Sequence, residues 1–386
     1  MSYLLLATDY PPQTGGIQRY HSNLALALQT LGREVHVIAT EYPGWQEHDA
    51  AAAVPVTRVP GEGGKLAITR RLRDEAVRRA GSLQEPLRGI VSTKWSPEGP
   101  GAMQAARRLG VPWGVFGHDR EFILHAANVV KWALQSYLLT HADLCFAISD
   151  YAAANFRRGF APAARIRMVG CGIEIERFQP DPETAARLRQ RHGLQGRPVL
   201  LTVARLVPRK GHLTVMQALR QVRARFPDVA YVIVGEGEFR PQLEQGIAAH
   251  GLHGNVIMAG AAADAELCGY YTMADVMVMP SYDIIGKPTE GFGLTFLEAN
   301  CCGTPVIGSR SGGIPDAIAE GRSGLLVPPR NPGALAAAVE RLLADPATAQ
   351  EMGRTGQERA RTQFRWEQVA RRVDAAFEEL WQTRTR

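Results

Sequence analysis

The sequence lacks the short motifs that mark several large enzyme classes. It has no Asp-x-Asp pair that could hold a divalent metal on a diphosphate, and no His-Glu-x-x-His, Gly-x-Ser-x-Gly or Walker A motif. The dinucleotide fingerprint Gly-x-Gly-x-x-Gly is missing from the first strand-to-helix junction. These absences argue against a zinc protease, a serine hydrolase, a P-loop nucleotidase and a dehydrogenase.

Cysteines and long apolar runs are also scarce. The five cysteines share no metal-ligand spacing and most lie in apolar surroundings, which is typical of free thiols in a reducing compartment. The N-terminal run has no basic flank of the signal-peptide type. No uncharged run approaches the roughly 20 residues that a membrane-spanning helix needs. The prediction is a cytoplasmic protein that is soluble or touches only a membrane surface.

Two domains of α/β class are expected from the length and the alternation of patterns. The chain has 386 residues, more than one hydrophobic core usually serves. Short apolar runs alternate with amphipathic stretches, which indicates parallel sheets built from βαβ units. The predicted domains are residues 1–177 and 178–364, followed by a terminal segment, residues 365–386. That segment shows one apolar face from Trp366 to Leu380.

The predicted strands fall into two series, one in each domain. They are Tyr3–Thr8, Val35–Thr40, Val54–Val59, Gly89–Thr93, Trp113–Gly117, Leu144–Ser149 and Arg167–Gly170, then Pro198–Ala204, Ala230–Gly235, Val256–Gly260, Val276–Pro280, Pro305–Ser309 and Gly324–Val327.

Two sequence features predict an anion site at the carboxyl ends of these strands. Gly15 and Gly16 open the first helix, where adjacent glycines leave backbone N–H groups accessible; a plain turn is the alternative. Arg205, Arg209 and Lys210 directly follow the strand Pro198–Ala204. Ligands of open α/β sheets bind at this edge, and such a cation cluster suits a diphosphate. Ordinary solvated loop cations are the alternative.

The most informative stretch runs from Glu290 to Ala299. Gly291 and Gly293 permit a tight turn, after which a helix begins with its positive end near Gly293–Thr295. Glu298 lies about one and a half turns into that helix, and its carboxylate can accept both hydroxyls of a ribose. A glycine-capped helix with a surface glutamate is the alternative.

Further positions are less diagnostic alone. Gly235 ends a strand in Val234-Gly-Glu-Gly237, and Gly312-Gly313 precede another helix. His118 ends a strand of the first domain, on the side where the two domains are expected to meet, although a lone histidine is more often structural.

Together these motifs resemble the family-4 retaining glycosyltransferases of the GT-B fold, such as the bacterial phosphatidylinositol mannosyltransferases. The spaced glutamates with Arg205 and Lys210 upstream carry most of the resemblance, which covers almost the whole chain. It implies two Rossmann-like doubly wound domains, with a final helix that returns to the first. It also implies transfer of a hexose from a UDP- or GDP-linked sugar as co-substrate, with no cofactor and no metal.

The resemblance also implies roles for individual residues. Catalytic roles fall to His118, Arg205, Lys210 and Glu290, and donor binding to Gly15, Gly16, Arg205, Lys210, Gly235, Gly291, Phe292, Gly293, Leu294, Thr295 and Glu298. His118 and Glu290 would contact the sugar, the cations the diphosphate, and Glu298 the ribose. Many members carry Glu where this chain has Asp119, a departure that concerns the acceptor side.

Other activities and the acceptor stay open from the sequence. A nucleotide-sugar 2-epimerase, or a nucleotide-sugar-binding protein without turnover, would keep the same motifs. The basic run Lys65–Arg79 and the apolar stretch Arg120–His141 fit peripheral contact with a membrane and a lipid acceptor. A solvated helix and a core helix are the alternatives, with a glycan or small-molecule acceptor. The basic run lacks the interleaved aromatics of a nucleic-acid surface, so no nucleic-acid partner is expected.

Overall fold

The structure is a computed structural model that describes residues 1–118, 129–159, 161–284 and 289–384. It divides into two compact units, one formed by Met1–Gly172 with Phe364–Arg386 and the other by Ile173–Gln363. Residues 173–177, placed by sequence in the first domain, therefore group with the second unit. The Cys268 thiol donates to the Arg177 carbonyl at 3.1 Å, which ties this segment there.

The strands of the first unit are β1 (Ser2–Ala7), β2 (Glu34–Thr40), β3 (Val56–Val59), β4 (Leu87–Ser92), β5 (Trp113–Gly117), β6 (Leu144–Ala147) and β7 (Ile166–Met168). Its helices are α1 (Gly16–Thr30), α2 (Trp45–Ala50), α3 (Gly64–Ala80), α4 (Glu98–Leu109), α5 (Val129–His141) and α6 (Asp150–Arg158). Within the described ranges, the strands form one seven-stranded sheet in the order β3-β2-β1-β4-β5-β6-β7. All its ladders are parallel, so the segments that follow β1, β4 and β5 share one edge.

The strands of the second unit are β8 (Val199–Val203), β9 (Ala230–Val234), β10 (Val256–Gly260), β11 (Val276–Met279), β12 (Val306–Ser309) and β13 (Gly324–Val327). Its helices are α7 (Pro182–Arg191), α8 (His212–Arg225), α9 (Arg240–Ala249), α10 (Leu267–Met273), α11 (Leu294–Cys301), α12 (Ile314–Ala317), α13 (Pro332–Ala344) and α14 (Pro346–Gln363). The described strands form a parallel sheet in the order β10-β9-β8-β11-β12-β13. Buried Val, Ile and Leu side chains from this sheet pack against α8 and α13, which form part of the core.

The last helix, α15 (Trp366–Arg384), packs on the first unit, as the resemblance implied. Asp374 accepts hydrogen bonds from the Tyr3 hydroxyl at 2.8 Å and from Arg33 Nη2 at 2.7 Å. Phe377 lies over Gly89, where a Cβ would stand 2.3 Å from its ring. Only glycine leaves room for α15 at this point of β4.

The two doubly wound sheets confirm the predicted fold class, and each predicted strand overlaps an observed one. In the part of the chain that the structure describes, no helix is both long enough and apolar enough to cross a bilayer.

Candidate active site

Charged side chains gather at the carboxyl edge of the second sheet. The chain leaves β8, forms a 3₁₀ turn at Pro208–Lys210 and enters α8. The Lys210 ammonium contacts Glu290 Oε2, and Arg209 Nη1 lies 3.3 Å from the same oxygen. Arg205 is exposed and close enough to affect the pKa of Lys210. Two cations therefore contact one carboxylate and a third lies close to Lys210, and this surplus of positive charge favours an anion.

Burial and the neighbouring charges together set the pKa values of Lys210 and Glu290. Burial lowers the pKa of the Lys210 ammonium; Glu290 opposes that effect, and Arg209 and Arg205 add to it. Burial alone would raise the pKa of Glu290, but Lys210 and Arg209 outweigh it and hold that pKa below its usual value. Glu290 is therefore ionised at neutral pH.

Two glycines bring the turns of this edge together. Gly211 has a φ of 79°, and a Cβ there would lie 2.3 Å from the Pro280 carbonyl oxygen. Gly235 has a φ of 139°, and its Cβ would lie 2.0 Å from the carbonyl oxygen of Ala204. The segments after β8, β9 and β11 can pack this closely because these residues have no side chain.

The turn into α11 holds the other predicted residues of this unit. Gly291 and the buried Phe292 lead to Gly293, which caps the helix with a φ of 90°. Leu294 and Thr295 form the first turn and are half-buried. The N–H of Gly313 donates to the Glu290 carbonyl at 2.8 Å, so the neighbouring turn fixes the start of this segment.

Glu298 is buried on α11 and bonded to α10. Its Oε2 accepts a 2.6 Å hydrogen bond from the Tyr271 hydroxyl, which is fully buried. The sequence patterns did not single out Tyr271, because it lies in an apolar stretch without a motif. The structure thus places Arg205, Lys210, Gly235, Glu290 and the turn 291–295 at the strand ends of one unit, with Glu298 on the helix that follows.

The predicted residues of the first unit lie at the carboxyl edge of its own sheet. Gly15 caps α1 and Gly16 begins it, and both are exposed. A Cβ on Gly16 would meet nothing within 4 Å, so no described contact of this unit requires a glycine there.

His118 follows β5 and pairs with a second histidine. Its Nε2 lies 2.7 Å from Nε2 of His21, and the two side chains are 6% and 0% exposed. Burial, with the charge of Lys94, lowers the pKa of His118 to about 3. His118 is therefore neutral at physiological pH and suits hydrogen bonding better than proton transfer. The sequence patterns missed His21, which sits inside α1 without a motif.

An ion pair next to these histidines was also missed. Lys94 Nζ lies 2.8 Å from Asp9 Oδ2, and each residue lies two positions after the end of a strand, β4 and β1 respectively. Fully buried Glu98 accepts a 2.8 Å hydrogen bond from the N–H of Thr8. A search for charged residues at every predicted strand end would have found Asp9 and Lys94.

Asp119 and residues 120–128 lie outside the described residues. Within the described ranges, no group of three or more His, Cys, Asp or Glu side chains is placed to hold a metal ion.

Comparison with known proteins decides the family. Residues 15–172 match the glycosyl transferase 4-like domain, and residues 185–359 match the glycosyl transferases group 1 family. A GDP-mannose-dependent alpha-(1-6)-phosphatidylinositol monomannoside mannosyltransferase of Mycolicibacterium smegmatis is 33% identical over 368 residues, 94% of each chain. The chain belongs to the family-4 glycosyltransferases of the GT-B fold. It is therefore a glycosyltransferase.

A second relative has a similar sequence, and two solved structures have a similar fold. The equivalent mannosyltransferase of Mycobacterium tuberculosis H37Rv is 33% identical over 387 residues, 97% of each chain. HepE of Anabaena, solved with UDP, superposes with a TM-score of 0.82 at 21% identity, covering 98% of this chain and 100% of that one. Sucrose-phosphate synthase of Thermosynechococcus elongatus gives 0.80 at 26% identity, covering 99% of both.

Proposed function

We propose that this glycosyltransferase moves a mannosyl group from GDP-mannose to a phosphatidylinositol-based glycolipid, with retention of anomeric configuration and without a metal. The observation that carries the proposal is the cluster in which Arg209 and Lys210 contact the single carboxylate Glu290, with Arg205 close to Lys210. The names of the 33% identical relatives support this donor and acceptor.

The cluster supplies the charge that a leaving nucleoside diphosphate needs. Arg205 and Lys210 bind the diphosphate, so positive charge that is already in place stabilises the negative charge that grows as the glycosidic bond breaks. N–H groups of Gly291–Thr295 add dipoles at the start of α11. With these groups a divalent metal is not required.

The remaining residues bind the rest of the donor. Glu298, oriented by Tyr271, accepts hydrogen bonds from the ribose hydroxyls, and Glu290 contacts a hydroxyl of the sugar. Gly235 lets the backbone approach the nucleotide. Neutral His118 holds the sugar by a hydrogen bond, and Gly15 and Gly16 contact the diphosphate near the acceptor.

Retention follows from attack on the face that the diphosphate leaves. The acceptor hydroxyl attacks the anomeric carbon on that face, the carbon–oxygen bond to the diphosphate breaks, and a departing phosphate oxygen takes the hydroxyl proton. Arg205 and Lys210 keep the diphosphate in place for this proton transfer.

A donor panel tests the proposal. GDP-mannose, UDP-glucose, UDP-N-acetylglucosamine and ADP-glucose are offered with phosphatidylinositol and its mannosides, and diphosphate release is measured beside mass spectrometry of the lipids. The expected result is one added hexose per GDP released, with GDP-mannose preferred. Donor isomerisation without transfer would instead indicate an epimerase, and binding without release a non-catalytic protein.

Two helices of the first unit support membrane docking. On α3, Lys65 and Arg70 are exposed, whereas Arg71 is held by the Pro60 and Glu62 carbonyls. On α5, Val129 and Val130 are 73% and 78% exposed, so its start is not a core helix. Helix α3 begins shortly after β3 ends, at the carboxyl edge of the sheet. Each basic residue near an anionic leaflet contributes about 1 kcal/mol.

Vesicle co-sedimentation tests the docking. We expect binding to vesicles that contain anionic lipid, weaker binding at high salt, and loss of binding in Lys65→Glu/Arg70→Glu. Arg220→Glu/Arg341→Glu, which reverses two exposed charges of the second unit, is the matched control and should bind like the wild type. Equal binding by both variants, or none by the wild type, would contradict membrane docking.

A further inference from the structure

Arg330 adopts a backbone conformation that its residue type disfavours. Among the residues that the structure describes, it alone combines a side chain with a positive φ, at 55°. In that region the Cβ crowds the backbone, and glycine or asparagine usually takes such positions. Arg330 stands between Pro329 and Asn331, whose side chain caps α13. An unfavourable conformation retained at one residue points to a role for its side chain.

The Arg330 side chain has a defined contact. Its guanidinium carbon lies 4.2 Å from the centre of the Tyr282 ring, a cation–π geometry. Arg330 follows β13 and Tyr282 follows β11, so the contact joins two turns at the carboxyl edge of the second sheet.

The segment around Tyr282 connects this contact to the cations. The Tyr282 N–H donates to the Arg209 carbonyl at 2.9 Å, in the turn that carries Lys210. The Ser311 hydroxyl donates to Asp283 Oδ1 at 2.9 Å, which ties the segment to the turn after β12. Residues 281–283 are therefore held by the turns after β8, β12 and β13.

We propose that Arg330 is a positioning residue of the donor site. Its guanidinium holds the Tyr282 ring, which keeps the Tyr282 N–H on the Arg209 carbonyl and the turn of Arg209 and Lys210 ready for a diphosphate. Arg330 acts through Tyr282 and does not itself contact the nucleotide. This role rests on the proposed binding of a nucleoside diphosphate by that turn.

A double-mutant cycle read by GDP calorimetry tests the role. An exposed cation–π contact corresponds to about a two- to fivefold change in an equilibrium constant, so Arg330→Gly and Tyr282→Leu should each raise the Kd of GDP by about that factor. The double variant should be no weaker than the weaker single variant, because both remove one contact. Arg330→Lys keeps a cation over the ring and should retain most of the affinity.

The unfolding temperature of Arg330→Gly distinguishes this positioning role from a purely structural one. Glycine relieves the strained conformation, so Arg330→Gly should unfold at a temperature no lower than the wild type does while binding GDP more weakly. Unchanged GDP affinity in Arg330→Gly would overturn the role, as would additive losses in the double variant, since additivity means that the two side chains act independently. Failure of the wild type to bind GDP or UDP would overturn the proposed function itself, and this inference with it.

Discussion

The Tyr271 hydroxyl donates a 2.6 Å hydrogen bond to Glu298 Oε2, so a side chain of α10 orients the carboxylate of α11. Both side chains are buried, and rotating Glu298 away would break this buried hydrogen bond. A carboxylate held in this way loses little freedom when it binds the two hydroxyls of a ribose.

Glu298→Ala should weaken GDP binding more than Tyr271→Phe does. Hydrogen bonds to a charged group are worth roughly 1.5–3 kcal/mol, and Glu298→Ala removes them from the ribose. Tyr271→Phe keeps the carboxylate and removes its orienting bond, so a smaller loss of about 1 kcal/mol is expected. Calorimetry with GDP measures both. Wild-type affinity in Glu298→Ala would show that this carboxylate does not bind the ribose.

The stability of the first unit should depend on pH through His118. Its pKa is about 3 in the folded unit against 6.5 for the free side chain, so the unfolded chain binds one more proton between these values. The contribution of His118 to the free energy of unfolding is therefore largest above pH 6.5, and it decreases as the pH falls towards 3. His118→Asn should lower the slope of unfolding free energy by about 1.4 kcal/mol per pH unit in this window.

Tryptophan fluorescence isolates this effect, because all six tryptophans lie in the first unit. Urea unfolding at pH 4.5, 5.5 and 7.5 provides the slope for each protein. Equal slopes for wild type and His118→Asn would mean that His118 is protonated in the folded unit as readily as in the unfolded chain.

The attachment of α15 should depend on Asp374. Arg33, whose side chain is 27% exposed, and buried Tyr3 both donate to this carboxylate, and leaving a buried hydroxyl without its acceptor costs about 1–3 kcal/mol. Asp374→Ala should therefore destabilise the first unit by an amount of that order. Glu379→Ala, which breaks the exposed pair with Arg167 on the same helix, should cost less than about 1 kcal/mol. Similar losses in both variants, followed by tryptophan fluorescence, would contradict the importance of the buried pair.

Much of the fold could be predicted because parallel strands are continuous apolar runs bounded by turns. The boundary between the units was harder to predict. The sequence patterns place it after residue 177, whereas Ile173–Arg177 group with the second unit. The hydrogen bond from Cys268 to the Arg177 carbonyl is one of the contacts that hold this segment there. That contact joins distant parts of the chain and leaves no local pattern.

The positions of the candidate site residues could be predicted where a motif contains them. Arg205, Lys210, Glu290 and Glu298 follow from strand ends and a glycine-rich turn. Tyr271 and His21 did not follow, because each resembles an ordinary helix residue until its buried partner is known.

Transfer by Lys210→Met in the presence of EDTA tests whether cations of the protein, without a metal, stabilise the leaving diphosphate. The measurement is hexose transfer from GDP-mannose to a phosphatidylinositol mannoside, quantified by mass spectrometry. In the proposed mechanism Arg205 and Lys210 take the place of a metal, so the wild type should retain full activity in EDTA and Lys210→Met should lose on the order of 10²–10³ in kcat. Arg220→Met, which removes an exposed cation of α8, should behave as the wild type. Full activity in Lys210→Met, or loss of wild-type activity in EDTA that Mg²⁺ restores, would contradict the account.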